Sequence, residues 1–267
     1  LWGEGGFVEM AEDIEFDEGP MLSLKDGFKI EESTDPREIK RRFGKYVKNG
    51  CVFVCVHPQY AIMTHRGITK QLEYLKEEIR ILREDGKHEK ANKKTVHYIT
   101  SQIETFLLAK LKEQEHLTFI NLNSTLKCDE YRKYIRGAIG TGENFIGYYI
   151  YRNEDITNIP KEMEEVFSIL DVKKVYLFGE VFGGCVDASY GGIQKFCEVT
   201  VIPQATLEYE DYVEIDKEEL TVEAYIEFLR TREYHRQTIE NLATDEKIKD
   251  LLGISLNEKW GELRAEL

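Results

Sequence analysis

The sequence predicts an α/β fold in three layers, a mostly parallel sheet covered by helices on both faces. Three observations predict it. Short β-branched runs such as Cys51–Val56 (CVFVCV) are apolar throughout, as strands buried on both sides must be. Segments with apolar residues at spacings of three and four, the helical period, separate those runs. Strands that alternate with helices need crossover connections, and crossovers leave consecutive strands parallel. The 267 residues, 42% of them hydrophobic, suffice for one large core.

Residues 1–45 read as an acidic N-terminal arm. Its first 20 residues carry seven carboxylates (Glu4, Glu9, Glu12, Asp13, Glu15, Asp17 and Glu18) and no Lys or Arg. Such a segment is either loosely attached or docks on a protein partner or a neighbouring subunit. Residues 36–48 have the pattern of a short amphipathic helix. Cys51–Val56 is too short for a core helix and is the first central strand, closed by His57 and Pro58. Leu72, Leu75, Ile79 and Leu82 define a helix over 68–84, stopped by Gly86. Val96, Ile99, Ile103, Phe106, Leu107 and Leu111 define a second over 95–113. A strand over 117–122, a helix near 129–135, a turn at Gly137, Gly140 and Gly142, and a strand over 145–151 follow. Pro160 opens a helix over 159–170. The strand 174–178 enters a glycine-rich turn at 179–184, a helix begins after Cys185, and a strand covers 198–202. The α/β domain therefore spans 46–206. Residues 207–267 form an acidic linker (Glu210, Asp211, Glu214, Asp216, Glu218 and Glu219) and a C-terminal helical extension, with Val222, Ile226 and Leu229 on one face.

Composition excludes several functions. Against 36 basic residues stand 50 acidic ones, a net charge of −14, so a broad basic face for nucleic acid is ruled out, although a local basic patch is not. Mean hydropathy is −0.45 and no apolar run approaches 18 residues, so no transmembrane helix is expected. Cys51, Cys55, Cys128, Cys185 and Cys197 are odd in number and form no CxxC pair. At least three of the five read as buried free thiols in a reducing compartment. Residues 1–20 lack the basic and apolar regions of a secretory signal, and a cytoplasmic setting is expected. Phosphate-loop, HExxH and GxSxG motifs are absent, and Gly137, Gly140 and Gly142 do not form a dinucleotide fingerprint. His57 and His65 lie eight apart with no third ligand nearby. No cofactor and no metal are expected.

In parallel α/β sheets, ligands bind beyond the carboxyl ends of the strands. That singles out His57, Asn123, Arg152 and the turn from Gly179 to Cys185. The turn is the strongest signal. A cysteine at the start of a helix feels the positive end of the helix dipole, which favours the thiolate. Backbone N–H groups of the turn are placed to meet an oxyanion. The plainer alternative is a structural cysteine beside a tight turn. Tyr148, Tyr149 and Tyr151 beside Arg152 read as cross-strand packing rather than a ligand wall, and His235 as a surface residue.

The segment from Lys174 to Thr206 resembles the isochorismatase-like cysteine hydrolases, which include nicotinamidases and carbamoylases. Gly179 ends a strand, Cys185 follows six residues later, and Val186 comes next, with Ser189 where the family has Thr. The β-branched strand Val199–Ile202 then leads to Ala205-Thr206, like the family's Asp-Ala-Thr tail. The family's catalytic Asp ends the first strand two residues before a Gln; here His57 stands there, before Gln59. Its catalytic Lys lies about 27 residues before the glycine; here that position holds Arg152. The resemblance covers roughly residues 51–206.

The resemblance implies a three-layer Rossmann-like fold and a small-molecule substrate, cleaved at a C–N amide or carbamoyl bond, or at a vinyl ether without a covalent step. Cys185 would be the nucleophile, His57 the base, and Arg152 the partner of the thiolate or of a substrate carboxylate. The N–H groups of Val181 and Cys185 would form the oxyanion hole. The resemblance also implies a non-proline cis peptide at Glu180–Val181 and a homo-oligomer. Two of three catalytic positions are altered, so the alternative is a catalytically inactive member of the fold, serving as a structural or assembly protein through its acidic arm and C-terminal helices.

Overall fold

The computed structural model describes residues 21–23, 28–29, 35–58, 68–122, 143–149, 161–208, 213–215, 220–232 and 240–267. Its centre is a five-stranded parallel sheet of β3 (Cys51–Val56), β4 (Thr118–Leu122), β5 (Phe145–Tyr149), β6 (Lys174–Glu180) and β7 (Glu198–Leu207). Two short strands, β1 (Met21–Ser23) and β2 (Phe28–Lys29), add to the β5 edge, giving the order β2-β1-β5-β4-β3-β6-β7. β1 runs antiparallel to β5, with Leu22 opposite Gly147. Part of the predicted arm is therefore paired with this chain's own sheet. Strands of three and two residues are too short for a period to register in sequence.

β3 lies at the centre because its side chains are buried on both faces, from Val52 through Val56. Around the sheet lie α1 (Pro36–Phe43), α2 (Ile68–Glu84), α3 (His88–Glu113), α4 (Lys161–Ile169) and α5 (Asp187–Ile193). α1 begins at Pro36, its N-cap Asp35 accepts from the Arg37 N–H at 2.9 Å, and it buries Ile39 and Phe43. α3 starts seven residues before the predicted helix (95 − 88) because its first turns, HEKANKK, have no apolar period; Ala91 and Asn92 are nonetheless buried.

β7 runs five residues beyond its predicted end (207 − 202). Between the pairs Leu177–Val201 and Gly179–Thr206, β6 advances two residues and β7 five. This bulge contains Pro203, which cannot donate to a ladder, and the strand resumes pairing after it.

The C-terminal residues complete the core. α6 (Val222–Arg230), α7 (Asp245–Leu252) and α8 (Leu256–Ala265) start at Thr221, Thr244 and Ser255. Each of these caps accepts from the N–H three residues on, at 3.1, 3.3 and 3.0 Å. Tyr225 and Trp260, both fully enclosed, stack with ring centroids 5.4 Å apart. Ala243 N–H donates to the Val201 carbonyl at 2.7 Å, tying the segment before α7 to β7. The acidic linker is also anchored: Val213 and Ile215 are buried, and the Ile215 carbonyl accepts from Asn92 Nδ2 at 2.9 Å. Charged residues dominate that window and hide the two alternating apolar ones. The predicted helix at 129–135, the turn at Gly137, Gly140 and Gly142, and the first 20 residues lie outside the described residues. Among the described residues no helix is long and apolar enough to cross a membrane.

Urea unfolding of one variant checks this packing. Trp260→Ala removes an enclosed aromatic shared between α8 and α6, and should cost about 3–5 kcal/mol in urea unfolding. A single unfolding transition, displaced as a whole, is the expected result; a separate early transition would show that the C-terminal helices unfold on their own.

Candidate functional site at the carboxyl edge of the central strands

The sheet brings the ends of β3, β4 and β6 side by side. Val56 pairs with Gly179 on one side and Asn121 on the other, and the His57 N–H donates to the Asn121 carbonyl at 2.9 Å. Gly179 has φ +113°, and a Cβ there would lie 2.2 Å from the Val56 carbonyl oxygen. Only glycine allows so close an approach. His57 itself has φ +46°, so the chain turns sharply as it leaves β3.

After Gly179, the bond Glu180–Val181 is cis, at the position the resemblance implies. Phe182–Val186 forms a π-helical turn that runs into α5. The Val181 carbonyl accepts from the N–H groups of Gly184 and Val186, at 3.0 and 3.1 Å. Cys185 lies within this turn, partly exposed between the buried Phe182 and Val186. The sequence places it at a helix start, and the structure does so too, in a turn wider than an α-helix. Val181 is 7% exposed. His57 thus follows the end of β3, and Val181 and Cys185 follow the end of its neighbour β6. Arg152, the third predicted catalytic residue, lies outside the described residues, as do Gln59, His65, Asn123, Tyr151 and His235.

The electrostatics differ from the predicted thiolate. Burial pushes the Cys185 thiol above its ordinary value. His57 is partly exposed as a residue, but its Nδ1 is buried, and desolvation draws its pKa down to about 4, with a hydrogen bond to the Asn121 backbone opposing the fall. Both groups are neutral near pH 7. A thiol pushed up and an imidazole pushed down both oppose transfer of a proton from Cys185 to His57.

Three polar side chains near this edge were not among the candidate site residues of the sequence reading. Glu180 is 1% exposed at the end of a strand otherwise apolar after Lys174. Its charge, with that of Glu104 on α3, adds to the burial that raises the Cys55 thiol. Asn121 is fully buried, and among the described residues neither atom of its side-chain amide has a hydrogen-bond partner. The Ser189 hydroxyl on α5 is buried in the same condition. A carboxylate and an amide inside strands were the available signals, since such groups are rarely buried without a task.

Of the cysteines, Cys55 is buried, while Cys51, Cys185 and Cys197 are partly buried; all four are free thiols, and Cys128 lies outside the described residues. Cys51 and Cys197 sit where strands begin, which keeps them nearer solvent than apolar runs imply. Among the described residues no group of three or more His, Cys, Asp or Glu side chains is arranged to hold a metal ion. No family model, curated protein or solved structure matches this chain.

Two outcomes are expected here. Gly179→Ala puts a methyl against the Val56 backbone and should destabilise by on the order of 3 kcal/mol or more in chemical denaturation. For His57, the folded pKa lies below the unfolded value of 6.5, so the unfolded chain takes up the proton first as pH falls. The stability is fully present above pH 6.5 and is lost progressively toward pH 4, by at most about 3 kcal/mol. His116, also lowered to about 4 chiefly by burial, acts in the same direction. Urea midpoints should fall between pH 7.5 and 5, and the fall should be shallower in His57→Asn, which tolerates a positive φ without titrating.

Proposed function

We propose that this chain is an isochorismatase-type hydrolase acting on a C–N amide or carbamoyl bond of a small molecule through Cys185. The observation that carries the reading is the turn after β6: a glycine pressed on the neighbouring strand, then a partly exposed cysteine six residues later in a helical first turn. In the reaction, Cys185 Sγ bonds to the carbonyl carbon while its proton passes to the His57 imidazole. The C–N bond breaks, and the departing amine takes that proton. Water then attacks the thioester, with His57 accepting its proton; the C–S bond breaks and the thiol re-forms. The N–H groups of Val181 and Cys185 would face the oxyanion, Arg152 would stabilise the developing thiolate, and the Asn121 amide is a hydrogen-bonding group for the substrate amide.

A second reading, a catalytically inactive member of the fold, is favoured by the neutral pair: a thiol pushed up and an imidazole pushed down oppose proton transfer. One experiment separates them, the pH dependence of Cys185 alkylation by iodoacetamide, located by mass spectrometry. An active site gives a midpoint below about 8.5, which rises in Arg152→Ala. A midpoint above 9 in the native chain rejects the hydrolase reading. In the active case, Cys185→Ala abolishes turnover of simple amides, nicotinamide and carbamoyl compounds among them, without unfolding the chain. Turnover confined to the double variant His57→Asp, Arg152→Lys identifies the natural chain as inactive.

A further inference from the structure

The ends of α2 and α8 and the beginning of α3 border a half-open cavity of about 500 Å³, a volume that suits a metabolite-sized ligand. Two guanidinium groups line it, Arg83 and Arg264, together with His88 and Asn92, over an apolar patch from Ala91 and Leu220. In a chain with 14 more acidic than basic residues, carboxylates are plentiful, and exposed cations take them. Arg80, one turn before Arg83, is paired with both Glu77 and Glu84. Arg83 has no carboxylate partner among the described residues; its guanidinium donates to the buried Thr95 hydroxyl at 3.2 Å, which fixes its direction and leaves other donors. Among the described residues Glu89 pairs with Lys93 at 3.1 Å, Glu266 with Lys76 at 3.0 Å and Glu262 with Lys259 at 2.9 Å.

Each arginine occupies the last turn of its helix, where carbonyl groups favour a cation. In the shared cavity burial lowers the Arg83 pKa and the Arg264 charge adds to that fall, so an anion placed between the two arginines would be stabilised by both. The first turn of α3, at His88, has no side-chain cap from Lys87, so its N–H groups add positive potential at the same place. We infer that this cavity binds a small phosphate-bearing molecule, its phosphate held between Arg83 and Arg264 at the start of α3. A phosphate suits the site better than one carboxylate, because two charges and several acceptor oxygens can meet donors arriving from three helices. This inference does not depend on Cys185.

The test is calorimetric titration of the full chain with inorganic phosphate at low ionic strength, with succinate as the carboxylate arm. Saturable phosphate binding is expected, weakened at least tenfold in Arg83→Gln and in Arg264→Gln but unchanged in Arg80→Gln. In the native chain, phosphate should also slow amide exchange at residues 88–92, a readout that needs no variant to fold. Absence of saturable binding, or equal affinity in Arg83→Gln, overturns the site. Tighter binding of succinate than phosphate, with the same arginine dependence, overturns the phosphate assignment.

Discussion

The contact between Gly179 and Val56 governs the organisation of this molecule. A backbone-to-backbone approach with no room for a methyl sets how β6 leaves the sheet, and so where the following turn and Cys185 are delivered. The same contact fixes the pairing of β3 with β6 at its last step, which in turn places His57 beyond Asn121. Side chains around the edge vary in what they offer chemically. The backbone frame that holds them rests on one residue that has no side chain.

Much of that frame was legible in sequence because burial on both faces leaves a strong mark. β3 and α2 begin and end where their apolar patterns do, at Cys51–Val56 and Ile68–Glu84. The start of α3 was not legible, since a lysine-rich turn that buries only Ala91 and Asn92 has no period. Nor were β1 and β2, or the burial of Val213 and Ile215, where a few contacting residues stand among many charges. At the candidate site the positions of His57 and Cys185 followed from strand ends and spacing. Their ionisation did not, because desolvation depends on what surrounds a group in space and not on its neighbours in the chain.

The charge distribution shows a second division. The buried carboxyls Glu104, Glu180 and Glu208 gather around the central strands and α6, with Glu208 and Glu180 adding to the burial that raises the Tyr225 hydroxyl and Arg232 standing 3.7 Å from Glu208. On the helical side, cations line the cavity of α2, α3 and α8. An acidic chain thus buries a few carboxyls near its central strands and brings two arginines together at helix ends, a placement that overall charge does not disclose.

The pairing of Val201 with the segment before α7 bears on how copies of this chain can associate. Val201 spends its N–H on Asn241 at 2.9 Å and its carbonyl on Ala243 at 2.7 Å, on the outer side of β7. A sheet margin whose hydrogen-bonding groups are already satisfied offers no template for a strand from another molecule. The bulge at Pro203 further distorts that margin. At Val201, therefore, a strand of a second molecule finds no free backbone group with which to extend the sheet, and the segment before α7 guards that step of the margin.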